Sequence, residues 1–206
     1  MPIQRKENAT LRLVQLAILT AIIVVLQLTG TAIKLNFLGT SISLVLVPIV
    51  LGAMLLGAKA GAFLGFVFGV IAFVAGGVFG GDFFTYTLFQ AHPFFTGLIC
   101  IVKGTAAGWV AALVYKPIEK KSSIGAVVTA GVAAPITNTG LFALGILLFF
   151  SDFLSGSAAA EGTSALSLLF LGWIGINFIV ELVVNMVLAT VINRIIALAR
   201  RETAKY

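Results

Sequence analysis

The chain has 206 residues, of which 60% are hydrophobic and only 10% are charged. A soluble domain of this size has roughly 45–50% apolar and about 25% charged residues, so a water-soluble core is excluded. One cysteine (Cys100) and one histidine (His92) exclude a disulfide framework and the usual zinc sites. The composition predicts an all-α integral membrane protein, and we expect no metal and no cofactor.

Hydropathy predicts six helices, because one crossing of a bilayer needs about 20 mostly apolar residues. In chain order they cover about residues 11–29, 41–56, 60–75, 93–115, 124–150 and 164–199. The second and third are short, and the tight Gly57-Ala58-Lys59 link makes them a helical hairpin. Six such helices leave no room for a separate soluble domain, so we expect one transmembrane domain over residues 1–206.

The basic residues predict the orientation of these helices. With the N-terminus in the cytoplasm, 11 of the 13 lysines and arginines fall on the inner side, while Asp82, Asp152 and Glu161 fall outside. This follows the positive-inside rule and predicts a six-helix bundle in the lipid bilayer with both termini cytoplasmic. The net charge of +6 then reflects topology, and no nucleic-acid partner is expected. The inner residues are Arg5, Lys6, Arg12, Lys59, Lys116, Lys120, Lys121, Arg194, Arg200, Arg201 and Lys205.

The N-terminal segment has two interpretations, because Arg5 and Lys6 precede an apolar run as they do in a signal peptide. The run is longer than the usual apolar region of a signal peptide, about 7–15 residues. Cleavage would also leave five spans and spoil the charge distribution. We therefore expect an uncleaved first helix.

Two long outer loops are expected, from Gly76 to Ala91 and from Ser151 to Gly162. The first combines glycines with Phe83, Phe84, Tyr86 and Phe89, and the second is rich in serine, alanine and glycine. They either connect helices at the surface or form a mobile lid over an outward-facing pocket, for which flexible glycines and aromatic contact area are suited.

Two ionisable residues, Lys103 and Glu181, fall inside predicted spans, where a charge costs at least about 2.5–3.5 kcal/mol. Each precedes a basic residue at the inner edge by 13 positions, which places both about 20 Å above that edge. Their equal depth allows an ion pair between the fourth and sixth helices. The alternative is that one or both face a ligand cavity, and the two interpretations can coexist.

Further polar residues converge at similar depth. Trp173, Asn177, Glu181 and Asn185 recur every four residues along one face of the sixth helix. On the fifth helix, Thr137-Asn138-Thr139 follows Pro135, which loosens a helix locally. Interhelical hydrogen bonding explains each residue singly, but their convergence favours a shared polar cavity. The predicted substrate-binding residues are Lys103, Asn138, Asn177, Glu181, Trp173 and, at the outer rim, His92.

Small residues recur at four-residue spacing on other faces, which usually marks close helix packing within one chain. Gly61, Gly65 and Gly69 show it on the third helix, and Gly104 and Gly108 on the fourth. Ala17 and Ala21 show it on the first helix, where packing within the chain is again the simplest interpretation.

Motifs for catalysis are absent from the sequence. There is no G-x-x-x-x-G-K-[ST] phosphate loop, no H-E-x-x-H pair and no G-x-S-x-G nucleophile elbow. Neither a selectivity motif nor a charged ring of a channel is evident. These observations predict a binding or transport subunit rather than an enzyme.

From Pro48 to Gly69 the chain reads PIVLGAMLLGAKAGAFLGFVFG. This stretch resembles the hairpin of the second and third helices in the substrate-binding S components of energy-coupling factor (ECF) vitamin transporters. The resemblance to that family spans about residues 11–193. Ala17-x-x-x-Ala21 resembles the family's first-helix motif, which packs against the coupling subunit. Thr137-Asn138-Thr139 and Asn177-x-x-x-Glu181 look most like pantothenate-type members.

The resemblance implies a subunit that binds a vitamin from outside and docks on one transmembrane coupling subunit and two ATPases. It then topples in the bacterial cytoplasmic membrane and releases its cargo inside. Lys103 would bind a carboxylate, and Asn138, Asn177 and Glu181 would meet hydroxyl or amide groups. The cargo could instead be riboflavin, folate or niacin. A stand-alone carrier that uses Glu181 as a proton site, and an intramembrane enzyme, are the competing interpretations.

Overall fold

The computed structural model describes residues 2–33, 36–37, 40–41, 44–175, 178–188 and 191, with side chains for 9–30, 44–175, 178–188 and 191. Nearly all of this part of the chain is helical. The helices are α1 Pro2–Ile33, α2 Leu46–Leu56, α3 Ala58–Ile71, α4 Phe83–Ala91, α5 Pro93–Glu119, α6 Ser123–Phe149, α7 Ser151–Ala160 and α8 Ala165–Leu188. A π-helical segment, Ala72–Val78, extends α3, and another, Leu168–Ile174, lies within α8. Strands β1 (Asn36–Phe37) and β2 (Thr40–Ser41) form one antiparallel pair.

In the described part of the chain, five helices are long and apolar enough to cross a membrane. They are Ala9–Gly30, Ala58–Val78, Pro93–Glu119, Ser123–Phe149 and Ala165–Leu188. The prediction of a multi-pass helical membrane protein is therefore confirmed. The predicted end of the sixth helix, residues 192–199, lies outside the described residues.

Helix α2 is shorter than the predicted helix over 41–56. It has 11 residues and is about 16 Å long, roughly half the thickness of a bilayer core. Ser41 belongs to β2, and Pro48 lies in the first turn of α2, where its missing N–H removes no helical hydrogen bond. Hydropathy is averaged over many residues, so the strongly apolar α2 drew the preceding turn and Ser41 into the predicted helix.

The predicted hairpin of α2 and α3 is confirmed. Gly57 lies between the two helices with φ of 90°, a left-handed conformation that side-chain-bearing residues rarely adopt. Its N–H donates to the carbonyl of Ala53 at 3.0 Å and thereby caps α2. One residue is therefore enough to reverse the chain.

Glycines bring α3 and α5 into backbone contact, as their spacing predicted. Gly61 lies against Gly108, Gly65 against Gly104, and Gly69 against the carbonyl of Cys100. The numbers fall on one helix as they rise on the other, so α3 and α5 are antiparallel. A Cβ atom at any of the three α3 positions would overlap the backbone of α5.

Apart from Lys103 and Glu181, this arrangement gathers the described charges near the two ends of the bundle. Arg12 donates a hydrogen bond of 2.9 Å to the carbonyl of Leu56, so the start of the first apolar span lies beside the α2–α3 turn and Lys59. The antiparallel α5 ends at the same side, with Lys116, Lys120 and Lys121. Glu119 also lies at this basic end, whereas three other acidic residues follow the opposite ends of α3 and α6: Asp82 precedes α4, Asp152 lies in α7, and Glu161 ends α7.

The two predicted outer loops are wrong in one respect, because each contains a helix. The first consists of the π-helical segment followed by α4, and the second is almost entirely α7. An apolar face begins at Phe150, directly before α7, and continues at Leu154 and Ala158 within it; all three are buried. Packing of this face outweighs the local glycine and serine content, so the segment is a helix rather than a loop.

The expected packing of Ala17 and Ala21 within the chain is also wrong. Helix α1 buries Leu19 and Ile23 against α2 and α3, whereas both alanines are exposed. Alanines spaced four residues apart lie on one side of a helix, and here that side points away from the bundle. The alanine face is available to another protein or to lipid.

Candidate functional site

A polar cavity of about 110 Å³ lies among the helices. By the same measure one water molecule needs about 10–15 Å³, so the cavity has room for a small organic group. Its walls come from α1, α3, α4, α5, α6 and α8, so the site exists only when the whole bundle is assembled. The lining residues are Gln27, Phe68, Ala72, Asp82, Phe84, Thr85, Lys103, Asn138, Thr139, Phe142, Trp173, Ile174 and Glu181.

Lys103 supplies the positive charge of the cavity. Its ammonium lies 4.8 Å from the centre of the Phe142 ring, a cation–π contact that offsets part of the cost of burial. Glu181 lines the same cavity and is close enough to interact electrostatically with Lys103. Its Oε2 accepts no hydrogen bond from the described side chains, so the ion pair that the sequence allowed is not formed through that oxygen.

Two lining residues carry buried acceptors without a donor in the described part of the chain. These atoms are Asn138 Oδ1 and Glu181 Oε2, on side chains that are 7% and 3% exposed. An unpaired buried acceptor costs about 1–3 kcal/mol, so proteins rarely keep one without a use. Both atoms would be satisfied by a ligand that donates hydrogen bonds.

The N-terminus of α4 forms one wall. The Asp82 carboxylate accepts hydrogen bonds from the Thr85 amide at 2.8 Å and the Thr85 hydroxyl at 2.6 Å, and so caps the helix. The cap fixes Phe84, whose ring packs against Phe142 at 5.7 Å and Trp173 at 4.8 Å between ring centres. Three helices thus share one aromatic cluster beside the polar groups.

Both π-helical segments in the described part of the chain reach the cavity. Ala72 begins the first, and Trp173 and Ile174 end the second. A π-helical turn inserts an extra residue, which rotates the following side chains and is frequent at functional sites. In this chain the two π-helical segments contribute Ala72, Trp173 and Ile174 to the cavity wall, from helices that are otherwise α-helical.

The site has the features of a binding pocket. No group of three or more histidine, cysteine, aspartate or glutamate residues that could hold a metal ion occurs among the described residues. A cation, two unpaired acceptors and an aromatic cluster face one cavity, which can hold a small polar molecule in a defined orientation.

Comparison with known proteins identifies the family of the chain. The family described as ECF transporter, substrate-specific component, matches residues 11–193. The chain belongs to this family. It is also 31% identical to the pantothenic acid transporter PanT of Lactococcus lactis subsp. cremoris (strain MG1363), over 91% of this chain and 94% of that protein. No solved structure matches significantly.

Family membership establishes the general role of the chain. It is a vitamin-type, substrate-specific transporter subunit and not an enzyme. Its apolar helices make it a multi-pass protein of the cell membrane. The polar cavity is the candidate substrate site of this S component.

The structure brings together four of the six substrate-binding residues that we predicted. Lys103, Asn138, Trp173 and Glu181 all line the cavity of the S component. Asn177 lies outside the described residues.

His92 and Asn185 lie apart from the cavity. His92 is exposed at the start of α5, where its ring contacts Phe95 and Phe150 at 6.0 and 5.6 Å between centres. Asn185 is buried against α6 near Gly131, and its Nδ2 donates to the Glu181 carbonyl at 2.8 Å. The polar face of α8 therefore serves the cavity at one end and helix packing at the other.

Sequence reasoning placed several lining residues of the S component elsewhere. Asp82, Phe84 and Thr85 were assigned to an outer loop, although Asp82 followed by Thr85 at the third position is a recognisable helix N-cap. Phe142 lies one turn after Asn138 on the same face of α6, so the four-residue spacing could have predicted that Phe142 lines the cavity. Gln27 of α1 also lines the cavity, and a polar side chain within the first apolar span is a signal that the sequence offers.

Proposed function

We propose that this S component binds pantothenate from outside the cell and delivers it to an ATP-driven ECF importer. The observation that carries the proposal is the composition of the cavity, in which one cation and two unpaired acceptors face an aromatic cluster. Similarity to a pantothenic acid transporter over most of both chains supports the same cargo.

The ligand chemistry follows from these groups. Pantothenate has a carboxylate, which Lys103 would bind through charge-assisted hydrogen bonds. Its hydroxyl and amide groups can donate to Asn138 and Glu181, and its apolar carbons would contact Phe84 and Trp173. Asn177 and His92 remain proposed contacts, the second at the rim. A neutral vitamin such as riboflavin would leave Lys103 with only the carboxylates of the cavity wall, Glu181 and Asp82, as anionic neighbours.

We propose six membrane crossings with both termini in the cytoplasm. The hydrogen bond from Arg12 to Leu56 supports this count, because it joins the start of the first crossing to the end of α2. The 22-residue span Ala9–Gly30 is about 33 Å long, so the chain between its far end and Leu56 has to return across the bilayer. Basic residues at this end of the bundle favour the cytoplasmic side.

The partners of this proposal are one transmembrane coupling subunit and two ATPases. The chain carries no phosphate loop of its own, so the energy has to come from another subunit. The exposed face with Ala17 and Ala21 supports docking on the coupling subunit, because small residues let another helix approach closely.

The experiment measures ligand binding to the purified full chain in mild detergent. We expect mass spectrometry to find pantothenate released on denaturation. Isothermal titration of ligand-free protein should show saturable pantothenate binding that riboflavin, folate and niacin do not displace. Displacement by one of these vitamins, with no pantothenate binding, would assign a different cargo.

A second candidate function rests on the burial of Glu181. A carboxyl group inside a membrane protein can serve as a proton site, as in a stand-alone ion-coupled carrier. Uptake in cells separates the two candidates. An ECF importer loses uptake when ATP is depleted, whereas a proton-coupled carrier loses it when a protonophore collapses the gradient and ATP is maintained.

A further inference from the structure

A second, open groove lies between the start of the first span and the α2–α3 hairpin. It has a volume of about 500 Å³. Its floor is apolar, with Leu13 and Phe63 both substantially exposed. From Ala9 to Leu16 it follows α1 for about 10 Å. The lining residues are Ala9, Arg12, Leu13, Leu16, Leu56, Lys59, Ala60 and Phe63.

Two cations lie in this groove, at the depth where the spans end. Arg12 is in the first turn of the span Ala9–Gly30, and Lys59 is in the first turn of α3. The Arg12 side chain uses one nitrogen to donate to the Leu56 carbonyl at 2.9 Å, and a guanidinium has five N–H donors in all. The Lys59 side chain is exposed. The groove therefore combines a hydrocarbon-like floor with donors for an anion.

We propose that this groove binds an anionic phospholipid. Its phosphate would contact Arg12 and Lys59, and its acyl chain would lie along the apolar floor between α1 and α3. A lipid supplies both parts at the correct depth, because its headgroup lies at the membrane surface and its chains inside. Basic pockets between transmembrane helices are typical sites for acidic lipid headgroups.

The charge pattern favours a lipid over a protein segment. An apolar helix laid in the groove would cover the floor but would leave two cations without anions. The groove is also separate from the polar cavity, since Phe68 and Ala72 of the cavity wall lie more than two helical turns beyond Lys59. The proposal is therefore independent of the cargo.

The test measures lipid retained by the full chain. Protein is purified into detergent with equal amounts of phosphatidylglycerol and phosphatidylcholine, and native mass spectrometry counts the bound lipids. We expect phosphatidylglycerol to dominate on the unaltered chain. Each basic residue near a membrane surface contributes about fivefold, so Arg12→Gln with Lys59→Gln should lower retention about 20- to 30-fold.

The matched control is Lys120→Gln with Lys121→Gln, which removes two positive charges at the same end of the bundle but outside the groove. Retention should stay within about twofold in this variant, since only nonspecific attraction is reduced. Lys59→Gln alone should lower retention about fivefold and leaves the Arg12–Leu56 hydrogen bond intact, so it guards against misfolding.

Three results would overturn the proposal. Unchanged phosphatidylglycerol retention in the groove variants would exclude the site. Equal losses in groove and control variants would indicate general charge attraction. Normal lipid retention with lost co-purification of ATPases would assign the groove to the coupling subunit. Pantothenate affinity should remain unchanged in every variant, which separates this test from that of the cargo.

Discussion

Lys103 lies within a membrane helix, where an isolated charge is unfavourable. The cation–π contact with Phe142 and the nearby Glu181 reduce the cost without using all three N–H donors of the ammonium. A carboxylate entering the cavity can therefore bind an ammonium that is already positioned. Lys103 would account for selectivity toward anionic cargo.

Lys103→Met tests this role because it keeps an unbranched side chain only one atom shorter and removes the charge. A hydrogen bond to a charged group contributes about 1.5–3 kcal/mol, so pantothenate affinity should fall about 10- to 150-fold in isothermal titration. Lys116→Met, in the exposed last part of the same helix, is the matched control and should leave the affinity unchanged. Equal affinities in both variants would make Lys103 structural or the cargo neutral.

Asn138 and Asn185 provide a second comparison, since both are buried amides whose Oδ1 atoms lack a donor in the described part of the chain. Only Asn138 lines the cavity. Asn138→Leu should weaken pantothenate binding about 5- to 100-fold, because a ligand donor is left unpaired. Asn185→Leu should change affinity little.

Thermal unfolding of Asn138→Leu shows whether weaker binding results from a lost ligand contact or from a less stable fold. Ligand-free Asn138→Leu should melt at or above the temperature of the unaltered chain, because the variant no longer buries an unpaired acceptor. A lower melting temperature, with proportionate loss of binding, would instead make Asn138 a packing residue.

At the scale of helices, the α3–α5 contact sets the geometry of the cavity. Gly65 and Gly104 bring the two backbones together midway between Lys59 and the cavity residue Ala72. The four-residue glycine spacing correctly predicted close helix packing within the chain, because only small residues let two helix backbones approach. The partner helix could be assigned only once the structure paired Gly65 with Gly104.

Gly65→Ala should destabilise the bundle, because the added Cβ would overlap the Gly104 carbonyl. Overpacking of this kind costs about 1–3 kcal/mol and lowers the melting temperature measured in detergent. Gly140→Ala is the control, since no atom lies within 4 Å of its added Cβ and helical alanine is favoured. An equal decrease in both variants would mean that glycine flexibility, rather than contact, is required.

Short elements were the least predictable. Hydropathy located the long helices to within a few residues, but α4, α7 and both π-helical segments were not predicted. A membrane-length window averages over such segments, and a π-helical turn has no simple sequence signature. Their formation depends on packing, as with the Phe84 ring against Phe142 and Trp173.

At the scale of the whole molecule, α1 is the least buried of the five long helices. Only 11% of the residues in its most apolar stretch are buried within the bundle. The face of α1 that points away from the bundle carries Ala17 and Ala21 among larger exposed residues such as Val14 and Ile18. Two small residues one turn apart form a shallow depression, which suits a helix of the proposed coupling subunit.

Ala17→Trp should fill this depression and reduce co-purification of the coupling subunit and ATPases, measured by pull-down in mild detergent. Pantothenate binding should not change, because Ala17 does not line the cavity. Ile22→Trp is the control, as Ile22 is also exposed but lies about 140° around the helix from Ala17. Normal co-purification of Ala17→Trp would place the docking face elsewhere.

The sequence by itself determined the membrane class, the long helices and the α2–α3 hairpin, and it predicted Lys103, Asn138, Trp173 and Glu181 as candidate site residues. Each depends on local composition or spacing, since apolar length sets a span and an intramembrane charge is costly wherever it occurs. Only the tertiary structure decided that these side chains share one cavity with Asp82, Phe84 and Gln27, and that Ala17 and Ala21 face outward. Contacts between distant segments depend on how the helices rotate against one another, and no single helix encodes that rotation.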